Sequence, residues 1–383
     1  MSTVTVSRVT TRKELKAFVR FNYELYKGSP YAVPDILEDT MEVLSPQSNP
    51  AFRFCDAALF LAKRDGRVVG RVAAIINHRA NERWGRQEVR FGWIDFIDDP
   101  EVSRELLAAV SQFGREHGMS QVVGPLGFTD LDPEGMLTEG FDQLSTAHTI
   151  YNYPYYAEHM RQLGYTQQVE WVERKIFIPK GMHEANRAKY FRMAQIVQQR
   201  FGFQLYHFKS KAEIRQGHYV EQMLSIINAS YDKLYGYSEL DTQQMAWYAR
   251  KFLPLLDCRF LTVVKNAEGE LIGVGICLTS LSRAIQKAKG RLFPFGWWHL
   301  VKELWLTRRH QVIDALLIGV LPEYQEKGAT AIIFSDMIPN AVRLGYDWAE
   351  SHPQLNDNNP GQQMWKNLDC VIHKRRVVFS API

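Results

Sequence analysis

Cysteine is scarce in this chain of 383 residues: Cys55, Cys258, Cys277 and Cys370 are its four, scattered without metal-ligand or redox spacing. That argues against a disulfide framework and predicts reduced, mostly buried thiols. An excess of one charge is also lacking. A net charge of +4 is small for this length, which argues against a dedicated nucleic-acid binder and leaves room for a local basic patch toward phosphate or anionic lipid. No apolar run approaches a membrane span, and the N-terminal MSTVTVSRVTTRKELKAF lacks the apolar core of a signal peptide. A cytoplasmic protein is expected, with peripheral contact to the inner membrane left open. No Gly-x-Ser-x-Gly elbow and no Cys–His pairing supports nucleophilic catalysis. Asp130 and Asp132 lack the spacing of a calcium loop, so no metal is expected.

What is present suits two domains of mixed α/β type, expected at 1–180 and 181–383. The organising stretch is VIDALLIGVLPEYQEKGATAII, Val312 to Ile333. Val312–Val320 is apolar except for Asp314 and Gly319 and suits a central strand covered on both faces. Pro322 ends it, and Gln325-Glu326-Lys327-Gly328-Ala329-Thr330 runs into a helix. A glycine turn at a helix N-terminus leaves N–H groups pointing outward beside the positive end of the dipole, which suits a phosphate or pyrophosphate.

Taken in order, Val4–Val9 alternates like a first strand. Thr11–Tyr26 has helical periodicity interrupted by Asn22, and Asp35–Leu44 suits a second helix. Asp65-Gly66 between two apolar runs predicts a hairpin over Ala57–Ile76. Phe91–Ile97 suits a fourth strand, followed by Asp98-Asp99-Pro100-Glu101 and a helix over Val102–His117. Those carboxylates would repel phosphate while capping the helix well. Gly124–Phe141 is a long structured loop whose acids, Asp130, Asp132, Glu134 and Glu139, either hold an amine or cap turns. The tyrosines from Tyr151 to Tyr156 suit core packing or an acyl channel. A strand over Trp171–Pro179 closes the first half.

The second half repeats the order. After a helix over Ala185–Phe201 come a strand at Phe203–Phe208, a helix over Ile214–Tyr231, a turn with Tyr235 and Tyr237, and a helix over Asp241–Leu253. A second hairpin follows over Phe260–Leu278. GRVVGRVAAII and GELIGVGICL align on their two glycines, which predicts a degenerate internal repeat. Between that hairpin and the organising strand lies Ser282–His310, where Arg283, Lys287, Lys289 and Arg291 interleave with Phe293, Phe295, Trp297 and Trp298. This composition suits a membrane surface or the wall of an acyl tunnel, and packing on the other domain is the plainer alternative. Tyr346–Glu350 suits a fifth strand, Asn359 an N-cap before Pro360, and Lys374–Phe379 a last strand.

A strand followed by Gln/Arg-x-x-Gly-x-Gly/Ala resembles the acyl-CoA loop of the GNAT N-acyltransferases; Gln325 and Gly328 match, and Thr330 stands where Gly or Ala is usual. GPLGFTDLDPEGMLTEGF, YNYPYY, QKAKGRLFPFG and LPEYQEKG resemble a bacterial tandem-GNAT group that includes the bacterial ceramide synthases. The resemblance implies two tandem GNAT-like domains, the first without its cofactor loop, and acyl-CoA as co-substrate. It implies cofactor contacts from Ile318, Val320, Gln325, Lys327, Gly328, Ala329, Thr330 and Asn359. It also implies N-acylation of a long-chain amine such as a sphingoid base, with Tyr235, Tyr237, Trp297 and Trp298 as candidate substrate contacts. For the proton transfers, Asp314 is the one acid inside the strand and leads the candidates, followed by Glu350 and His310. An oxyanion N–H is expected at a bulge near Leu317–Gly319. The Tyr that often protonates the CoA thiolate is replaced by the region of Met364 and Trp365. A non-catalytic CoA-binding protein and an aminoacyl-tRNA-dependent transferase of peptidoglycan-bridge type remain the alternatives.

Overall fold

The structure, a computed structural model, describes residues 3–178, 184–306, 312–366 and 368–383, with side chains described outside 184–190, 305–306 and 359–360. The chain divides into two compact units. The first comprises Met1–Val172, Leu281–Leu306 and His373–Ile383, and the second Glu173–Ser280 and Thr307–Ile372.

The elements run β1 (Thr5–Arg8), α1 (Arg12–Leu25), α2 (Leu37–Val43), β2 (Cys55–Arg64), β3 (Arg67–Asn77), α3 (His78–Trp84), β4 (Glu88–Phe96), α4 (Pro100–Glu116), β5 (Gln121–Gly124), β6 (Met136–Glu139), α5 (Tyr155–Gln162) and β7 (Thr166–Phe177). They continue with α6 (Glu184–Phe201), β8 (Gln204–Tyr206), α7 (Lys211–Gln216), α8 (Tyr219–Tyr231), α9 (Thr242–Phe252), β9 (Leu261–Lys265), β10 (Leu271–Thr279), α10 (Ser282–Ala288) and α11 (Trp297–Val301). The last are β11 (Val312–Val320), α12 (Pro322–Gln325), α13 (Ala329–Leu344), β12 (Trp348–Ser351), β13 (Gln354–Leu355), α14 (Asn359–Gln363) and β14 (Cys370–Pro382). Most boundaries fall within a few residues of those expected. The helix expected over Ile214–Tyr231 is instead two, α7 and α8, because Gly217 ends the first and His218 turns left-handed at φ 51°.

The first unit starts from local signals. Thr11 and Glu14 form a reciprocal capping box that begins α1. Asp65 and Gly66 both take positive φ, as a type I′ hairpin turn requires. The sheet order is β1-β2-β3-β4-β5-β14, antiparallel except for β4 beside β5. That parallel pairing covers only Glu88–Arg90 against Gln121–Val123. Beyond it the chain itself fills the space: Leu126 N–H donates to Phe91 O at 2.9 Å, and Leu126 and Phe128 are buried. Gly92 and Gly124 permit this approach. A Cβ on Gly124 would lie 2.2 Å from Phe91 O, and one on Gly92 2.5 Å from Leu126 O. Gly124→Ala should therefore cost about 2–4 kcal/mol of stability by forcing backbone apart. Urea unfolding reads this directly, and an unchanged midpoint would show that the approach is not needed.

Asn22, the polar interruption in α1, is buried and earns its place in a polar core. Its amide donates to Asp95 at 3.2 Å, and Asp95 also accepts from Arg71 Nε at 2.8 Å and Tyr26 Oη at 2.9 Å. Burial pushes the Asp95 carboxyl upward, with the Arg71 guanidinium opposing. The tyrosine cluster is core of the same kind. Tyr156 Oη lies 2.8 Å from Tyr26 Oη, Tyr155 Oη donates to Phe96 O at 2.6 Å, and Tyr151 Oη donates to Phe141 O at 3.0 Å. Of the loop acids, Asp132 accepts Thr129 N–H at 3.0 Å and Glu139 pairs with Arg375 at 3.1 Å.

At the N-terminus of α4 the expected acids act as caps. Asp99 accepts from Glu101 N–H at 2.9 Å, and the Arg64 guanidinium binds both Asp99 and, at 2.6 Å, Glu101. The segment read from sequence as an insertion in the second half, Leu281–Leu306, clusters with the first unit. Leu37 N–H donates to Gly290 O at 2.8 Å, and Gln286 Nε2 donates to the carbonyls of Pro30 and Ala32 at 3.1 and 2.8 Å.

The second unit repeats the order. Its sheet runs β8-β9-β10-β11-β12, with the end of β7 beside β12, and β11 and β12 are its parallel pair. Helix α13 packs Ile332, Ile333 and Met337 against Val264, Ile272, Cys277 and Val320, and α8 covers the opposite face.

Candidate functional site

The site is built on β11. Gly275 on β10 lets α13 approach one face of the sheet: a Cβ there would lie 2.5 Å from Ile333 Cγ2. Gly319 does the same for α8 on the other face, where a Cβ would lie 2.8 Å from Ile227 Cδ1. The strand is thus clamped between two helices, as its apolar composition predicts.

The pairing of β11 with β12 ends at Ala315 and Ser351, and His352 N–H donates to Ala315 O at 2.9 Å. From there β11 continues to Val320 with β10 on one edge only, so the two parallel strands part. Leu316 is the extra residue of a bulge, since Ile276 pairs with Leu317 and Cys277 with Ala315. The bulge lies one residue before the expected range. Leu321 N–H donates to Ile272 O, on β10. By the two-residue alternation of a strand, Ile318 and Val320 turn their peptide groups toward the opening. Helix α8 reaches the same edge. Tyr231 Oη donates to Ile318 O at 3.2 Å, and Ser230 Oγ donates to Val320 O at 2.9 Å. Sequence reading missed both residues, because no local signal marks them. Burial pushes the Tyr231 hydroxyl up to about 12.

At the closed end of the opening, Asp314 and Glu350 are register partners on adjacent strands and both are buried. Glu350 is in turn the partner of Lys175 on β7, so a Lys–Glu–Asp row crosses three strands. Lys175 Nζ lies 4.6 Å from the centroid of the Trp348 ring. Glu173, two residues before Lys175, is fully buried. The structure therefore brings together two of the three candidate proton-transfer residues. His310 lies outside the described residues.

After Val320 the chain turns through α12. Gln325 Nε2 donates back to Val320 O at 3.0 Å, and Lys327 N–H to Tyr324 O at 3.1 Å. Gly328 takes φ 82° as the N-cap of α13 and provides no side-chain cap. The N–H groups of Gly328, Ala329 and Thr330 have no acceptor among the described residues, which makes a donor cluster at the start of a sixteen-residue helix. Val197 of α6 lies behind Gly328, 2.9 Å from where a Cβ would stand. Lys327 lies over the Tyr324 ring at 4.7 Å.

The remaining candidates are placed within their own units. Asn358, not Asn359, caps α14: its Oδ1 accepts from Gly361 N–H at 3.3 Å, and Asn359 is the first helical residue. Tyr237 is buried, and its hydroxyl donates to Asn228 Oδ1 at 2.6 Å; Tyr235 is half-buried. Trp297 and Trp298 are exposed and belong to the first unit. Trp365, in the region where the family resemblance implies a thiolate-protonating Tyr, is buried and donates through Nε1 to Gln354 at 2.6 Å. Burial pushes the thiols of Cys55 and Cys277 up to about 12, which disfavours their thiolate forms. No cluster of metal-ligating side chains occurs among the described residues.

No protein-family model matches the chain. Protein YghO of Escherichia coli strain K12 is 29% identical over 389 residues, covering 97% of this chain and 94% of that protein. A bacterial ceramide synthase of Caulobacter vibrioides is 27% identical over 387 residues, covering 98% and 97%. Among solved structures, a tandem GNAT protein from the clavulanic acid biosynthesis pathway superposes with a TM-score of 0.56 at 13% identity, over 99% of this chain and 98% of that one. The repeated order of elements, the parting parallel strands in each unit and this whole-length superposition agree: the chain is a tandem-domain protein of GNAT fold, similar in sequence to a bacterial ceramide synthase.

Proposed function

We propose that the protein is an acyl-CoA-dependent N-acyltransferase whose chemistry belongs to the second unit, with a long-chain amine such as a sphingoid base as acceptor. The observation that carries this reading is the parting of β11 from β12, with peptide groups of Ile318 and Val320 on the opening and the donor-rich start of α13 after it. The pyrophosphate of CoA would rest on the N–H groups of Gly328, Ala329 and Thr330, and the thioester would lie along β11. The amine loses a proton to the Asp314–Glu350 pair and attacks the thioester carbonyl. The resulting oxyanion takes a hydrogen bond from Ile318 N–H, and collapse forms the amide and expels the CoA thiolate, which takes up a proton. Similarity to the Caulobacter ceramide synthase supports a lipid amine as acceptor. In the first unit, Arg64 with Asp99 and Glu101 occupies the start of α4, and Leu126 and Phe128 fill the space beyond the β4–β5 pairing, which supports a scaffold role there.

Isothermal titration with CoA, acetyl-CoA and palmitoyl-CoA tests the reading. Preferential binding of palmitoyl-CoA is expected. Equal binding of all three would keep the acyltransferase reading but weaken the long-chain one, and no binding would sink the cofactor assignment. A second reading, a CoA-binding protein without turnover, draws on the absence of a Tyr at Trp365; it predicts binding without any acyl transfer.

A further inference from the structure

Between β10 and β11 the chain carries an aromatic array that the acyl-transfer reading does not use. Phe293, Phe295, Trp297 and Trp298 are 69%, 79%, 43% and 48% exposed, high values for large apolar side chains adjacent in one loop and helix start. The array is held in place. Ser282, Ala284, Ile285 and Ala288 of α10 are buried, and Leu292 N–H donates to Glu38 at 3.4 Å. Trp297 Nε1 donates to Pro294 O at 3.0 Å, and the two tryptophans meet edge to face at 6.0 Å. A Cβ on Gly290 would lie 2.4 Å from Asp35 O, so the loop sits directly on the chain before α2.

Cations outnumber acids around this array. From Ser282 to Lys302 the sequence contains Arg283, Lys287, Lys289, Arg291 and Lys302, all exposed, and the first acid of the segment is Glu303. Glu38 approaches from α2, and Leu292 N–H points at its carboxylate. Exposed rings suit a bilayer interface, and cations neighbouring them in sequence suit anionic headgroups. A soluble partner with an apolar groove would not require this excess of cations.

We propose that this segment of the first unit is a docking surface for an anionic lipid bilayer, with Phe293, Phe295, Trp297 and Trp298 entering the interface and Lys287, Lys289 and Arg291 pairing with headgroups. The contact needs neither acyl-CoA nor the opening beside β11, so its test is separate from that of the proposed reaction.

Co-sedimentation of the full chain with vesicles of phosphatidylcholine, alone or with rising fractions of phosphatidylglycerol, reads the proposal. Binding should rise with the anionic fraction and fall with added salt. The double variant Phe293→Ser/Phe295→Ser should lower the partition coefficient by about tenfold or more, with an unchanged melting temperature because both rings are exposed. Lys289→Glu/Arg291→Glu should remove most of the dependence on phosphatidylglycerol, on the order of tenfold. Equal partition of the aromatic variant and the parent, or no vesicle binding at all, overturns the proposal. A dimer in solution that the aromatic variant breaks, without vesicle binding, also overturns it and assigns the face to a second copy of the chain.

Discussion

Gly328→Asp is expected to weaken palmitoyl-CoA binding on the order of 100-fold while leaving the protein folded. Two effects act together. Gly328 holds φ at 82°, a left-handed backbone that costs an L-residue free energy, and a Cβ there would press on Val197 Cγ2 at 2.9 Å. An aspartate also places a negative charge at the N-terminus of α13, where the pyrophosphate would seek the N–H groups of Gly328, Ala329 and Thr330. Gly328→Ala shares the backbone strain without the charge, so it should lose only about tenfold. Titration of all three proteins with palmitoyl-CoA separates the effects. If the aspartate variant binds as tightly as the parent, pyrophosphate does not rest at this helix start.

Asp314→Asn and Glu350→Gln carry the second large effect. Each keeps the shape of the side chain and removes its capacity to accept a proton as a carboxylate. Turnover should fall by about 10²–10⁴ if the pair serves the amine, while KM for acyl-CoA changes by less than about threefold. The two residues are register partners, so the double variant should lose little more than the worse single one. A pH–rate profile adds a readout that loss of stability would not produce: the acidic limb of the parent should vanish in the variant that removes the base. Parent-like turnover in both variants would move the proton transfer to another group.

What the sequence made legible was local. The type I′ turn at Asp65-Gly66, the capping box of Thr11 and Glu14, and the strand–turn–helix from Val312 to Leu344 each depend on neighbours in the chain. The two glycine-matched hairpins disclosed the repeat for the same reason. What stayed hidden depends on register and on distant contacts. The bulge at Leu316 exists only relative to β10. The row Lys175–Glu350–Asp314 is contributed by three strands far apart in sequence. Nothing near Tyr231 or Ser230 announces that their hydroxyls meet carbonyls of β11. The break between α7 and α8 was masked by helical periodicity continuing on both sides of His218. The placement of Leu281–Leu306 was equally silent, since it rests on hydrogen bonds to Pro30, Ala32 and Leu37.

The starts of the helices after the two fourth strands differ in kind. Both units place a helix after the fourth strand, yet the first begins it with Asp99 and Glu101 bound by Arg64. The second begins it with Gly328 and open N–H groups. That difference was visible in sequence, as acids in one loop and a glycine in the other, because helix ends are set by the few residues beside them.

The most direct measurement incubates the full chain with palmitoyl-CoA and sphinganine, and quantifies free CoA thiol and amide product together. One amide per CoA released, dependent on both substrates and lost in Gly328→Asp, is the predicted result. Tight palmitoyl-CoA binding with no amide formed from sphinganine or any other primary amine would contradict it and leave a CoA-binding protein.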